Sequence, residues 1–301
     1  MVEAVERLGS LESAQDFTFT YSRPEQRLWQ RLLVFAIERA TGAERFERLY
    51  RQWSAAPPAD ETIFAAGLRL LGIELSIDGA VWSEIPRTGP LLIIANHPFG
   101  VIDGLAVAHL ATSLRPDAKV MTHSLLCQPP EAKAFLLPVD FAATAAARAA
   151  TVATCRRAIG WLADGHCLAM FPGGSVSTSQ SPWRGPASDP AWYPFLGKLA
   201  SQHDLTVLPV FVHGQNSRLF QIASHIDYAL RIALLFRESA RLAGGELRLS
   251  IGAPVAAAEL AKLGGRETIV KELRRRCYAL AGETGPDPEL EFRWPKHIRW
   301  N

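Results

Sequence analysis

Residues 91–104 read LLIIANHPFGVIDG, an apolar run followed by a segment that carries one His and one Asp. A short apolar run of this kind is typical of a strand that is covered on both faces of a sheet. His97 and Asp103 are separated by five residues, among them a Pro and a Gly. On one continuous helix that spacing would turn the two side chains apart, so the Pro and the Gly favour a turn. The stretch therefore predicts a buried strand, a turn and the beginning of a helix.

Such a turn would bring the ring of His97 back to Asp103. A carboxylate that accepts a hydrogen bond from one imidazole nitrogen fixes the tautomer of the ring and leaves the other nitrogen to act as a general base. The same residues also fit a purely structural role, in which Asp103 caps the helix and His97 fills the turn. The position directly after a buried strand favours the catalytic interpretation without excluding the structural one.

Strands and helices alternate along most of the chain. Strands are predicted at residues 73–77, 91–95, 119–122, 135–139, 167–171, 206–212 and 246–251. Helices are predicted at residues 104–114, 142–163, 192–202, 219–242 and 256–281. This alternation predicts an α/β fold with a mainly parallel or mixed central sheet that is flanked by helices. Ligands of such sheets bind at the carboxyl ends of strands, which is where the His–Asp segment lies.

The N-terminal part has a helical pattern. Apolar residues recur at helical spacing over residues 24–53, and a second helix is expected over 60–71 with Asp60 as its candidate cap. We therefore expect an N-terminal helical accessory segment, residues 1–71, and an α/β domain, residues 72–301.

A second predicted strand leads into a glycine-rich turn, since residues 167–177 read CLAMFPGGSVS. Gly173 and Gly174 let backbone N–H groups come close to a ligand, and Ser175 follows them. Such a turn can bind a phosphate or stabilise an oxyanion. An isolated Pro-Gly-Gly is also common as a simple turn. A functional role of this segment is therefore favoured only in combination with the His–Asp segment.

A third predicted strand ends before Asn216, Ser217 and Arg218. An arginine there could bind an anionic oxygen group, and its two neighbours could line an acceptor pocket. The alternative is the beginning of a helix, with Asn216 or Ser217 as its cap and Arg218 on the surface. Both interpretations are open.

The segment NHPFGVIDG, residues 96–104, resembles the first motif block of the glycerolipid acyltransferase superfamily, which includes glycerol-phosphate and lysophosphatidic acid acyltransferases. The usual block has four residues between His and Asp; the five found here are similar to a branch labelled hemolysin, which is related to bacterial ornithine-lipid acyltransferases. Later segments resemble the later blocks in the same order: LPVD at 137–140, FPGGS at 171–175, GQNSRLF at 214–220 and LSIGAP at 249–254. The resemblance covers roughly residues 70–255.

Departures from the superfamily pattern concern charged residues. Gly173 stands where the F-P-E-G block has Glu. Ser175 stands where the F-P-x-G-E-V-S block of the related branch has Glu. No arginine in these segments matches the residue that holds glycerol phosphate in the superfamily. The resemblance therefore leaves an acceptor other than glycerol phosphate open, such as an amino-acid lipid or another lyso-lipid.

The resemblance implies transfer of a fatty acyl group from a thioester, acyl carrier protein or coenzyme A, to the hydroxyl or amine of a lyso-lipid-type acceptor. His97 would be the general base, and Asp103 would orient it. The candidates for substrate binding are Gly173, Gly174, Ser175, Asn216, Ser217 and Arg218. No metal and no resident cofactor are implied. The implied partners are the acyl thioester and a membrane lipid surface, which a peripheral enzyme would meet from the cytoplasmic side.

Composition limits the classes of function. Hydrophobic residues make up 48% and charged residues 21% of the chain, which excludes intrinsic disorder. Lys and Arg number 32 and Asp and Glu number 30, a balance that does not favour nucleic acid as a partner. The four cysteines show no zinc-ligand spacing, and no apolar run approaches the ~20 residues of a spanning helix. We therefore expect a reduced, cytoplasmic setting.

Two other classes of function are open on the sequence. One is a hydrolase with Ser175 as its nucleophile, although the segment GGSVS lacks the G-x-S-x-G nucleophile elbow. The other is a lipid-binding module that has the fold without the reaction, which the missing Glu would suit. Covalent labelling of Ser175 would favour the first class. Lipid binding that is unaffected by His97→Ala, with no turnover, would favour the second.

Overall fold

The computed structural model describes residues 28–80, 82–123, 129–140 and 144–298. The strands are β1 Glu74–Gly79, β2 Leu91–Ala95, β3 Lys119–His123, β4 Leu136–Val139, β5 Cys167–Met170, β6 Thr178–Ser179, β7 Ala187–Ser188, β8 Thr206–Val212, β9 Glu246–Ile251 and β10 Val255–Ala256. The helices are α1 Leu28–Thr41, α2 Ala43–Ser54, α3 Ile63–Leu70, α4 Val101–Leu114, α5 Ala145–Ala163, α6 Pro194–Ala200, α7 Arg218–Ile226, α8 Tyr228–Ala233, α9 Leu235–Leu242, α10 Ala257–Ala261 and α11 Arg266–Ala279. Short 3₁₀ helices cover Trp82–Glu84 and Pro130–Phe135.

The central sheet is mixed and mainly parallel. Its strand order is β1-β9-β8-β2-β5-β3-β4, with β10 paired to β8. Strands β8, β2, β5, β3 and β4 run parallel to one another, whereas β9 is antiparallel to β8 and pairs with β1 in parallel. The predicted fold class is therefore confirmed. The separate hairpin of β6 and β7 was not predicted.

Strand β2 lies in the middle of the sheet and is buried on both faces. Leu91 and Ile93 belong to the apolar core on one face, together with residues of α3 and α4. Leu92 and Ile94 belong to the core on the other face, together with residues of α5, α6 and α11. Burial on both faces explains why the strand is a continuous apolar run rather than an alternating one.

The N-terminal helical pattern is interrupted where the sequence predicts continuity. The helix predicted over residues 24–53 is divided into α1 and α2 at Gly42, whose φ of 101° is a left-handed conformation that glycine adopts readily. Residues 24–27 of that prediction lie outside the described residues. The next helix begins at Ile63, and its cap is Thr62 instead of Asp60. The hydroxyl of Thr62 accepts a backbone hydrogen bond from the first turn, which fixes the beginning of α3.

Two long predicted helices are also divided. The one predicted over residues 219–242 consists of α7, α8 and α9, because Asp227 is extended and its carboxylate caps α8. The one predicted over 256–281 consists of β10, α10 and α11, with Gly264 and Gly265 before the last helix. The other predicted boundaries differ from the structure by a few residues, and residues 142–143 of the helix predicted over 142–163 lie outside the described residues.

Helix α3 packs directly on the α/β part. Phe64 and Leu68 belong to the same apolar cluster as Leu91 and Ile93. The division of the chain at residue 71 stays a prediction. Among the described residues, no helix combines the length and the apolar composition needed to cross a membrane.

Candidate active site

The three predicted turns follow adjacent parallel strands. Strand β2 pairs with β5 on one side and with β8 on the other, so that Leu91 lies opposite both Cys167 and Thr206. The carboxyl ends of these strands therefore lie side by side. The His–Asp segment is placed between the glycine-rich turn after β5 and the segment after β8, at the edge where α/β sheets bind ligands.

His97 and Asp103 are in hydrogen-bond contact across their turn. The distance from His97 Nδ1 to Asp103 Oδ2 is 3.2 Å. Asp103 lies in the first turn of α4 and is fully buried. Its two oxygens also accept hydrogen bonds from the backbone N–H groups of Phe99 and Gly104, each at 2.9 Å. The carboxylate thus orients the ring and also stabilises the turn, so the two roles weighed on the sequence are compatible. The catalytic role of the pair stays a prediction.

The ring of His97 is held on its face as well as at Nδ1. It stacks on Phe171, with ring centroids 4.1 Å apart and an angle of 29° between the planes. The side chain is 17% exposed. Because Nδ1 contacts Asp103, Nε2 is the nitrogen available to a substrate, and it has no hydrogen-bond partner among the described residues. A general base with a fixed tautomer has this arrangement.

Asp189 is a second buried carboxylate, and it holds the backbone of His97. Its Oδ1 accepts hydrogen bonds from the His97 N–H at 3.2 Å and from the Ser177 hydroxyl, and its Oδ2 accepts from Trp192 Nε1 at 2.9 Å. A Cβ at position 173 would lie 3.0 Å from the Cβ of Asp189, so Asp189 fills the space where a Glu at Gly173 would begin. No sequence pattern singled out Asp189, because it lies 92 positions from His97 along the chain.

The glycine-rich turn requires glycine at Gly174. This residue has a φ of 62°, and a Cβ there would overlap the ring of Tyr193. The N–H of Gly174 donates to the carbonyl of Phe171 at 3.0 Å. This amide is therefore not free to bind a ligand, although the sequence predicts such a role for it. The N–H groups of Gly173 and Ser175 have no acceptor among the described residues. They are the amides of this turn that remain for an oxyanion or a phosphate.

A cavity of about 470 Å³ lies beside His97. Among the residues predicted for the site, it is lined by His97, Gly174 and Ser175. Its walls are otherwise mostly apolar, and Met170 and Leu235 are examples. A concave apolar site with a few polar groups is the usual form of a ligand-binding pocket.

Asn216, Ser217 and Arg218 begin helix α7 and do not line this cavity. Ser217 is the N-cap of the helix, and its hydroxyl also donates to the buried carboxylate of Glu238 at 2.6 Å. Asn216 is buried and Arg218 is exposed. The structure therefore matches the helix-start interpretation, and the placement gives no support to a role of these residues in substrate binding.

Arg231 reaches the cavity from α8 and was not singled out on the sequence. It is 1% exposed, and burial lowers its pKa to about 9. Its guanidinium donates to Thr178 Oγ1 at 2.6 Å, Ser224 Oγ at 2.8 Å, Ser175 Oγ at 3.3 Å and the carbonyl of Val176. An arginine in the middle of an amphipathic helical pattern is usually on the surface, so only packing reveals its position.

The described site is a histidine that a buried carboxylate contacts at the wall of a mostly apolar cavity. The chain matches the family model described as Acyltransferase over residues 27–284, and it belongs to this acyltransferase family. The prediction of an acyltransferase is therefore confirmed. The assignment to the branch labelled hemolysin stays a prediction.

Among solved structures, the chain is similar to the 1-acyl-sn-glycerophosphate (LPA) acyltransferase PlsC from Thermotoga maritima. The identity is 15%, the match covers 84% of this chain and 80% of that chain, and the TM-score is 0.45. No curated protein sequence matches the chain.

Proposed function

We propose that this acyltransferase transfers a fatty acyl group from a thioester of acyl carrier protein or coenzyme A to a hydroxyl or amine of a lyso-lipid-type acceptor. The observation that carries the proposal is the His97–Asp103 hydrogen bond at the wall of a largely apolar cavity. The imidazole can remove the proton of the acceptor, and the apolar walls suit a fatty acyl chain.

In the proposed step, His97 Nε2 takes the proton of the acceptor hydroxyl or amine, and the freed electron pair attacks the thioester carbon. A carbon–oxygen or carbon–nitrogen bond forms, and the carbonyl oxygen becomes an oxyanion. The oxyanion collapses as the carbon–sulfur bond breaks, and the leaving thiolate takes the proton back from His97. No acyl-enzyme is formed, and no metal or resident cofactor is part of the proposal.

Two neighbouring groups would support this step. The buried carboxylate of Asp103 would stabilise the imidazolium while it carries the proton. The amide of Ser175, which lines the cavity, would donate to the oxyanion. A role of Ser175 as nucleophile has less support, because its hydroxyl contacts Arg231, and no described histidine contacts it.

We also propose that the protein works as a peripheral enzyme on the cytoplasmic face of a membrane. Tyr193 lines the cavity and is 48% exposed, and Trp183, between β6 and β7, is 72% exposed. Aromatic side chains with a polar tip are favoured at the boundary between lipid and water. A membrane at this face would bring acceptor lipids to the cavity.

The test uses purified protein with labelled acyl carrier protein thioester, labelled acyl-coenzyme A and a total polar lipid extract. We expect a new acylated lipid from the wild type and from His166→Ala, whose residue precedes β5 at the opposite ends of the parallel strands. A folded His97→Ala variant should form it roughly 10²- to 10⁴-fold more slowly. Free fatty acid as the sole product would contradict the proposal and indicate hydrolysis. Lipid binding without conversion in all three proteins would indicate a binding module.

A further inference from the structure

Arg231 is a buried charge at the cavity wall, and no described carboxylate forms an ion pair with it. It is 1% exposed and lines the same cavity as His97. The four hydrogen-bond acceptors around its guanidinium are three hydroxyl groups and one backbone carbonyl. These neutral acceptors bind the N–H groups of Nη1 and Nη2 and place no negative charge beside the guanidinium.

Two other buried charges of the described chain have an opposite charge beside them, whereas the buried Arg274 donates to backbone carbonyls and does not line the cavity. Arg115 pairs with Asp117 at 2.6 Å, and Glu238 pairs with two arginines at 2.8 and 3.3 Å. A buried ion without such compensation is costly in free energy. Arg231 differs from Arg274 because it lines the cavity, so a ligand there can supply the negative charge that no described Asp or Glu of the wall provides.

Ser175 connects Arg231 to the cavity. Its hydroxyl oxygen accepts a hydrogen bond from Arg231 Nη2 at 3.3 Å, and the residue itself lines the cavity. Because the oxygen accepts from Arg231, the hydroxyl hydrogen remains for a bond to a ligand. The rings of Phe220 and Trp294 lie 4.8 Å from the guanidinium carbon. They shield the charge from water, which strengthens its attraction for an anion in the cavity.

We propose that Arg231 and Ser175 form a binding site for an anionic oxygen group, a phosphate or a carboxylate, carried by the acyl acceptor. This inference rests on the proposed function, because it assigns the charge of the acceptor at the same cavity. The anion accepts the Ser175 hydroxyl hydrogen and compensates the charge of Arg231, while the nucleophile of the acceptor reaches His97. Arg231 lies outside every segment that resembles a superfamily block, so no resemblance assigns it.

Acceptors that share one oleoyl chain separate the effect of charge from the effect of the chain. They are 1-oleoylglycerol 3-phosphate, N-oleoylserine and the neutral 1-oleoylglycerol, and each is offered to wild type, Arg231→Met and Ser175→Ala. We expect the wild type to prefer the anionic acceptors. Both variants should raise KM for these roughly 10- to 100-fold, because charge-assisted hydrogen bonds are lost. KM for 1-oleoylglycerol should stay near its wild-type value. If the KM for 1-oleoylglycerol 3-phosphate rises more than the KM for N-oleoylserine, the natural anionic group is a phosphate. The opposite result identifies a carboxylate.

The matched control is Arg274→Met. Arg274 is 3% exposed, but all its hydrogen-bond acceptors are backbone carbonyls and it does not line the cavity. This variant should lose stability and keep the ratio of kcat/KM for anionic over neutral acceptors. Equal losses for all three acceptors in Arg231→Met, or a wild type without preference, would overturn the proposal. Ser175→Ala keeps the test decisive if Arg231→Met does not fold.

Binding without turnover separates this inference from the proposed function. A ligand that binds the native state raises the temperature of thermal unfolding. We expect 1-oleoylglycerol 3-phosphate to raise it for wild type and His97→Ala, and less for Ser175→Ala. Such binding in a protein that transfers no acyl group would contradict the proposed function and still support the anion site. Equal shifts in wild type, Arg231→Met and Ser175→Ala would overturn the anion site.

Discussion

Two His–Asp pairs in this molecule have nearly the same geometry and very different surroundings. Nδ1 of His97 lies 3.2 Å from Asp103, and Nδ1 of His166 lies 2.9 Å from Asp117. Both imidazoles also stack on an aromatic ring, with centroid distances of 4.1 Å for His97 and 4.0 Å for His166. Contact between an imidazole and a carboxylate does not by itself distinguish a candidate base from a structural pair.

The position in the fold makes the difference. His97 follows β2 and lines the cavity, whereas His166 directly precedes the parallel strand β5 at the opposite edge of the sheet and does not line it. Asp117 also accepts from the guanidinium of Arg115 at 2.6 Å, so its charge is already paired. The other donors to Asp103 are backbone amides. In this sheet, the carboxyl ends of the strands and the cavity make the His97–Asp103 contact the candidate catalytic pair.

Replacing each histidine by alanine gives the largest expected contrast. His97→Ala should lower kcat roughly 10²- to 10⁴-fold, because it removes the general base. His166→Ala should keep the wild-type kcat and lower only the free energy of unfolding. Steady-state kinetics and chemical denaturation of both variants measure this contrast. An equal loss of kcat in the two variants would break the distinction between the pairs.

The next largest contrast in kcat is expected when Asp103 and Asp117, the carboxylates of the two pairs, are each replaced by Asn. Asp103→Asn should lower kcat roughly 10²-fold with little change in KM, because an amide can donate to Nδ1, which favours the wrong tautomer and does not stabilise the imidazolium. Asp117→Asn should leave kcat unchanged. A wild-type pH profile and kcat in a folded Asp103→Asn variant would show that Asp103 only stabilises the turn.

The first pair was predictable from the sequence, and the second was not. Six positions separate His97 from Asp103, and the Pro and Gly between them indicate the turn. The separation is 49 positions for His166 and Asp117, and 92 for the contact of Asp189 with His97. Contacts of that range depend on how whole elements pack, which neither periodicity nor a local motif describes.

The same limit applies to the helices. Strand β2 could be placed because a run of apolar residues is typical of a strand buried on both faces. The interruptions of the helices at Gly42 and Asp227 could not be predicted, because the apolar periodicity continues on both sides of them. Asp227 is extended where the helical pattern continues, and its carboxylate caps the next helix. The candidates Asn216–Arg218 show the converse, since a polar group after a strand was a helix cap and not a pocket wall.

The aromatic rings under the two imidazoles allow a finer comparison. Phe171→Leu should lower kcat roughly 2- to 10-fold, the equivalent of an aromatic contact of about 0.5–1.5 kcal/mol, because the His97 ring loses the face that holds it. Trp161→Leu should leave kcat unchanged and lower stability, since the Trp161 ring supports His166 and its Nε1 donates to backbone carbonyls. If kcat is unaffected by Phe171→Leu, Asp103 alone orients His97.

The smallest expected effect is a dependence of stability on pH at the structural pair. Burial raises the pKa of the Asp117 carboxyl, but hydrogen bonds from Arg115 and His166 outweigh it, so the pKa lies below its ordinary value. A carboxyl with a lower pKa in the folded state stabilises the fold above its unfolded pKa, and this contribution is lost as pH falls through the folded pKa. The free energy of unfolding of the wild type should therefore exceed that of Asp117→Asn by about 1 kcal/mol at pH 7. The difference should shrink progressively below about pH 4, as measured by urea unfolding across this range. A difference that is the same at every pH would show that Asp117 stabilises the fold through its shape rather than its charge.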